Sequence, residues 1–190
     1  MTFAYRYLFP CMWLSWAGYW WLLSGNVKAS ARRDSLPSRL LYALPLLLGI
    51  LLLWVPNVPV PVLGKRFLPW TAWTFWTGAA LAAAGLLFAV WARRHLGRNW
   101  SGSVTIKEGH ELITHGPYAM VRHPIYAGLL TALAGSAVAR GEWRGVLAVL
   151  IAALAFWRKV QIEERWMREH FGEPYQSYSR RVAALVPFIL

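Results

Sequence analysis

Three observations on this sequence predict an all-α, integral membrane helical bundle of about five transmembrane helices. Of its 190 residues, 57% are hydrophobic and only 15% are charged, against about 25% charged in soluble domains. The apolar residues gather into five runs separated by polar, Pro- or Gly-containing stretches. The 13 Trp and 8 Tyr suit two interfacial belts, where amphipathic rings sit at headgroup depth. The length suits a single domain.

The first span runs from about Phe3 to Leu23 and ends at Ser24-Gly25-Asn26. Arg6 alone precedes its apolar core and no small-residue cleavage site follows, so it is read as a span and not as a cleavable signal. Its single cysteine, Cys11, excludes a disulfide framework and a cysteine metal site. Span two is Leu40 to Val55, and Pro45 kinks it, which a span tolerates when neighbours satisfy the freed carbonyl. The connector Pro56–Pro69 holds four prolines and is not helical throughout, because each proline removes a donor and fixes φ. Span three, Trp70 to Ala92, is long enough at 1.5 Å per residue to cross a ~30 Å hydrocarbon core. Gly78 and Gly85 fall near one face of it and favour close helix packing, within or between chains.

The segment from Arg93 to His123 is polar and rich in glycine. Span four starts at Pro124, a suitable first helical residue because its missing N–H costs nothing there, and runs to about Ala139. Only Arg140-Gly141-Glu142 separates it from span five, Trp143 to Trp157, so the two form a tight helical hairpin. The last helix continues as Arg158–Phe171. Gly172-Glu173-Pro174 stops it, and a turn at Tyr175–Arg181 leads into an apolar tail, Val182–Leu190.

A net charge of +12 would suit nucleic acid, but the basic residues lie in the loops between spans, where membrane orientation accounts for them. With the first loop in the cytoplasm, that side carries fifteen Lys and Arg against five on the other. The positive-inside rule then puts the polar Arg93–His123 segment and the C-terminus in the cytoplasm. The expectation is a multi-pass protein of a bacterial inner membrane or its equivalent.

Several chemistries are absent from the sequence. His110-Glu111 and His115 resemble HExxH, but the second His is one place late. On a helix the two imidazoles would point about 140° apart, and Gly116-Pro117 ends any helix there. No GxGxxG, no GxxxxGK[ST] and no serine in a nucleophile elbow occurs. What remains is the stretch His110–Tyr126. Gly116-Pro117-Tyr118 is a turn, and Arg122-His123-Pro124 delivers two basic side chains to a helix N-terminus, where unpaired N–H groups favour a carboxylate or phosphate. Tyr118, His123 and Tyr126 supply an aromatic wall for a planar ring or a cation. Glu163 and Glu164 lie just past the last apolar turn. Lys159 is the i,i+4 neighbour of Glu163, which by itself describes a surface ion pair of small value.

Leu112, Thr114, Gly116, Tyr118, Arg122-His123-Pro124, Tyr126, Gly128, Glu163-Glu164, the run FGEPYQSY from Phe171 to Tyr178, and Pro187 together resemble the isoprenylcysteine carboxyl methyltransferases. More broadly, they resemble the phospholipid-type membrane methyltransferases. The resemblance covers about His110 to the C-terminus, and the first three spans match only in being spans. It implies transfer of a methyl group from S-adenosyl-L-methionine to a lipid-linked or lipophilic acceptor, a carboxylate by analogy. It also implies a three-span scaffold over residues 1–92 and a catalytic region over 93–190, with a cytoplasmic C-terminal cofactor-binding subdomain. Carried onto matching positions, the cofactor contacts are His110, Glu111, Leu112, Ile113, Tyr118, His123, Pro124, Ile125 and Tyr126, with Glu163 closing the pocket. The family's acceptor-orienting arginine falls at Lys159, with Arg158 beside it as a second cation. The partners implied are the bilayer and the acceptor, with no nucleic acid and no metal. Three alternatives compete: a phospholipid amine N-methyltransferase, an NADPH-dependent sterol-type reductase sharing the RHPxY mouth, and a non-catalytic membrane scaffold. Glu163-Glu164 and the short chain weigh against the reductase.

Overall fold

The computed structural model describes residues 2–25, 27–55 and 59–187. Asn26 after the first span, the start of the Pro-rich connector (56–58) and the end of the apolar tail (188–190) lie outside the described residues. The five apolar runs form α1 (Thr2–Ser24), α2 (Leu36–Trp54), α4 (Ala72–Leu96), α5 (Pro124–Arg140) and α6 (Trp143–Phe171), with a single turn, α3 (Pro61–Gly64), in the connector. Among the described residues, α2, α4 with the 3₁₀ turn that follows it, and α6 are long and apolar enough to cross a membrane. The other two fall short of that measure for different reasons. α5 has only 17 residues, and α1 draws much of its apolar surface from Trp and Tyr. α2 runs through Pro45 without a break.

The bundle is built around α4 and α5, whose backbones nearly touch. A Cβ placed on Gly78 would lie 2.5 Å from Gly135 O, and one on Gly128 would lie 2.6 Å from Gly85 O. Ala82, Ala89 and Ala132 fill the crossing and are wholly buried. In lipid, where burial of apolar surface supplies no drive between helices, such close van der Waals approach is what holds them. The Gly78 and Gly85 face is therefore consumed within the chain. α2 packs on α6 in the same manner, Gly49 meeting the Ala148 carbonyl.

The hairpin between α5 and α6 turns at Gly141, whose φ of +67° is the left-handed cap that glycine adopts without strain. Glu142 accepts from Arg144 Nε at 2.5 Å and Arg140 Nε at 3.2 Å. The two guanidiniums also reach Leu53 O and Val55 O at 2.7 and 2.6 Å, satisfying the last carbonyls of α2.

Two features depart from the sequence reading. Ser30–Arg33 (β1) and Thr105–Lys107 (β2) pair antiparallel, Ser30 with Lys107 and Arg33 with Thr105, tying the first loop to the polar segment. Val104 and Ile106 bury against Trp166 of α6, which gives the short ladder its core. Tyr175–Arg181, expected as a turn, belongs to a helix, α7 (Glu173–Arg181). Gly172 ends α6 at φ +61°, and Pro174 restarts a helix in the first turn, where its fixed φ is helical already.

A Gly85→Ala substitution would put a methyl 2.5 Å from Ala132 N. The expected cost is about 1–3 kcal/mol, read as a lower thermal unfolding temperature in lipid or detergent. Gly18→Ala, whose Cβ meets nothing within 4 Å, is expected to leave that temperature unchanged or raise it.

Candidate active site

A cavity of about 260 Å³, partly open, lies at the end of the bundle where α4 and α5 meet the polar segment. The 3₁₀ turn Gly116–Ala119 follows the predicted Gly-Pro-Tyr turn and buries Tyr118. Pro124 opens α5, with His123 as the capping residue. His110, Glu111, Leu112 and Ile113 form one wall; Tyr118, His123, Pro124, Ile125 and Tyr126 form the next. Lys159 and Glu163 reach in from α6. Of the cofactor and acceptor residues read from the sequence, all but Arg158 line this one space. That side chain is exposed and faces an outer groove with Trp157, Gln161 and Arg165, because successive helical residues are 100° apart.

The two adjacent glutamates do different things. Glu164 is 3% exposed and is not in the cavity wall. Its Oε1 accepts from Arg122 Nε at 2.7 Å, His123 Nε2 at 3.0 Å and the Tyr175 hydroxyl at 2.8 Å, and its Oε2 from Arg168 at 2.8 Å. Arg122 goes on to the carbonyls of Ser179 and Val182. The backbone N–H groups of Arg122 and His123 bond to the Ala183 and Ala184 carbonyls at 2.8 and 3.0 Å. The two basic side chains read as an anion site at the helix mouth are thus committed to the protein. A buried carboxylate has to be compensated, and these are the groups within reach.

Glu163 faces the cavity. It accepts from the Tyr126 hydroxyl at 2.5 Å, and His123 Nδ1 lies 3.3 Å from its other oxygen. Burial pushes the His123 imidazole down, but hydrogen bonds to Glu163 and Glu164 outweigh it and hold the ring above its usual value. Carboxylate oxygens thus face both ring nitrogens. His123, Tyr126 and Phe156 stack in series, with ring centroids 5.7 and 4.9 Å apart. Lys159 is not the surface residue its spacing suggested. It is 7% exposed, and its ammonium donates to Gly102 O at 2.9 Å. His110 accepts the Lys107 N–H at 3.2 Å and meets the edge of Phe171. Burial, with His170, Lys28 and Lys107 nearby, pushes its pKa down to about 4, so the ring is neutral. His115 lies apart from it, beside His95.

The sequence reading missed the strip Asn99, Ser101, Ser103 and Thr105, which lines the cavity together with Trp16 and Trp20 of α1 and Trp100. Polar residues recur at every second position from Asn99 to Thr105, but that pattern is no guide here: Gly97–Asn99 is a 3₁₀ turn, only Thr105–Lys107 is a strand, and Trp100 and Gly102 line the cavity as well. Asn99 Oδ1, Thr105 Oγ1 and Trp16 Nε1 are buried without a hydrogen-bond partner, which is unusual for buried polar atoms. All three residues line the cavity, so a bound molecule with its own donors and acceptors would complete them.

Known proteins resemble this arrangement. The phospholipid methyltransferase family profile matches residues 73–174. Protein-S-isoprenylcysteine O-methyltransferase B of Arabidopsis thaliana is 30% identical over 158 residues, 78% of this chain and 74% of that one. A probable protein-S-isoprenylcysteine O-methyltransferase of Oryza sativa subsp. indica is 33% identical over 96 residues, 49% of this chain and 50% of that one. The solved structure of a eukaryotic intramembrane Ras methyltransferase, isoprenylcysteine carboxyl methyltransferase, superposes with a TM-score of 0.61 at 23% identity, covering 82% of this chain and 54% of that one. The chain thus spans about half the length of the rice relative and of the solved structure. Membrane-length helices carrying an aromatic-walled cavity at one end, together with these matches, define an integral membrane methyltransferase. The chain belongs to the phospholipid methyltransferase family.

Two outcomes follow from the geometry. Glu164→Ala strands Arg122 and His123 and is expected to cost about 3–5 kcal/mol, with Tyr175→Phe costing less, about 1.5–3 kcal/mol; thermal unfolding of the purified variants measures both. Because His110 titrates near 4 when folded and near 6.5 when unfolded, the unfolded chain binds more protons between those values. Stability should therefore fall as pH drops through that window, and a His110→Asn variant should lack that contribution to the slope.

Proposed function

We propose that this chain transfers the methyl group of S-adenosyl-L-methionine to a carboxylate on a lipophilic or lipid-linked acceptor, as in O-methylation of an isoprenylcysteine. The observation that carries the reading is the pairing of opposite charges in one aromatic-walled cavity: the Glu163 carboxylate and the buried Lys159 ammonium. The isoprenylcysteine acceptors in the names of the relatives support it. When bound, the cofactor supplies an activated methyl on a sulfonium, so the protein needs no nucleophile of its own.

The donor set suits that cofactor. Glu163, fixed by His123 and Tyr126, presents negative charge to a cationic ligand, and the Tyr126 face adds cation–π attraction. Asn99, Thr105 and Trp16 offer unmatched polar atoms to the rest of it. A carboxylate acceptor is ionised at neutral pH and needs no base. The remaining task is orientation: Lys159 holds the acceptor's charge while the aromatic walls exclude water, so that the reacting atoms meet in line. An amine acceptor reacts as the neutral base and becomes cationic as its nitrogen takes the methyl, beside the Lys159 ammonium, which disfavours the N-methylating alternative. In this reading residues 93–190 carry the chemistry, and 1–92 form the scaffold that lends Trp16 and Trp20. The excess of Lys and Arg on one side supports a cavity facing the cytoplasm.

Calorimetric titration of S-adenosylmethionine and its demethylated product into the folded, purified protein tests the cofactor. Saturable binding is expected, and Glu163→Gln should abolish it; no binding to the wild type would send the search to NADPH. Lys159→Met should keep cofactor binding and lose about 2–5 kcal/mol of acceptor interaction, a ~30-fold or greater fall in kcat/KM. The methylated product should release methanol in base, as an ester does and a methylamine does not.

A further inference from the structure

We propose that Tyr42, which lies outside the cavity, positions the acceptor through Lys159: with Tyr126 it sets ring faces against the ammonium, keeping it buried without a directly bonded carboxylate so that an incoming one can take that place. The inference rests on the acceptor reading above and adds a residue from the scaffold helix α2 to it.

Lys159 Nζ lies 5.4 Å from the Tyr42 ring centroid and 5.0 Å from that of Tyr126. Tyr42 is 5% exposed, so its ring is fixed by packing. The hydrogen-bond acceptor of the ammonium is a neutral carbonyl, Gly102 O. Glu163 attracts the ammonium through space, but it hydrogen-bonds to Tyr126 and faces His123, and among the described residues Lys159 makes no direct ion pair; Glu164 is engaged by Arg122, His123, Arg168 and Tyr175. A buried cation usually takes a carboxylate as its partner, but such a partner would cancel the charge an anionic acceptor needs and would have to be displaced. Ring faces attract a cation through their quadrupole and carry no net charge.

The test uses the full chain in lipid, with S-farnesyl-N-acetylcysteine as acceptor and its carboxamide as a matched neutral competitor. Wild type is expected to prefer the carboxylate by about tenfold or more. Tyr42→Leu should lose that preference and raise the acceptor KM about tenfold, with kcat and cofactor affinity little changed. Tyr42→Phe, which keeps the ring face, should behave as wild type. If wild type shows no preference, the acceptor reading fails and the role of Tyr42 goes with it. If wild type discriminates and Tyr42→Leu does so equally, the role of Tyr42 alone is overturned. It is also overturned if Tyr42→Phe falls as far as Tyr42→Leu, or if Tyr42→Leu loses cofactor affinity, since the hydroxyl or the packing would then be what matters.

Discussion

One buried carboxylate holds the functional end of this molecule together. Glu164 gathers hydrogen bonds from Arg122 and His123 at the mouth of α5, from Arg168 one turn along α6, and from Tyr175 on α7. The backbone bonds of Arg122 and His123 to Ala183 and Ala184, and that of the Tyr178 hydroxyl to Tyr118 O, add to its hold on the C-terminal segment. The tail that follows is laid down by the same group of contacts, because Arg122 also holds the carbonyls of Ser179 and Val182. Such a knot is expensive to desolvate, and it persists because each charge meets several partners at once.

The arrangement uses rotational phase on a single helix to separate tasks. Glu164 turns inward to the knot, which leaves Glu163, one position earlier, aimed at the cavity. Lys159 shares the cavity face, while Arg158 points away to the outer groove. His123 joins the two functions, since one ring nitrogen meets the structural carboxylate and the other the cavity carboxylate. The state of the cavity carboxylate is therefore tied mechanically to the fold of the C-terminus.

Much of the bundle was legible from local pattern. Apolar runs, Pro124 as a first helical residue, Gly141 at the hairpin and the small-residue face of α4 are all properties of short windows, and each appears where the windows put it. The cavity wall at His110–Ile113 and Tyr118–Tyr126 was legible through family resemblance more than through chemistry. What escaped the sequence depends on long-range pairing. The β1–β2 ladder joins residues over seventy positions apart in sequence, and the turning of Arg122 and His123 onto Glu164 spans about forty. No helical or strand period encodes such partners. Lys159 misleads in a similar way, because its spacing from Glu163 describes a surface pair until α2 and the polar segment close over it. The break at Gly172 signalled the end of one helix but not the start of another.

Polar knots bracket the apolar part of α6. Glu142, with Arg140 and Arg144, marks one end, and Glu163 with its neighbours marks the other. Twenty residues lie between Glu142 and Glu163, a rise of about 31 Å along the helix axis, close to the thickness of a bilayer's hydrocarbon core. Both knots carry charge that resists entering lipid, so together they set the thickness of membrane that the bundle fits without tilting. The cavity travels with one knot. A thicker or thinner bilayer would tilt the bundle or deform around it, changing how deep the cavity sits beneath the leaflet from which a lipid-borne acceptor must reach it. Lipid chain length thereby becomes a determinant of turnover, acting through hydrophobic mismatch and touching no side chain in the cavity.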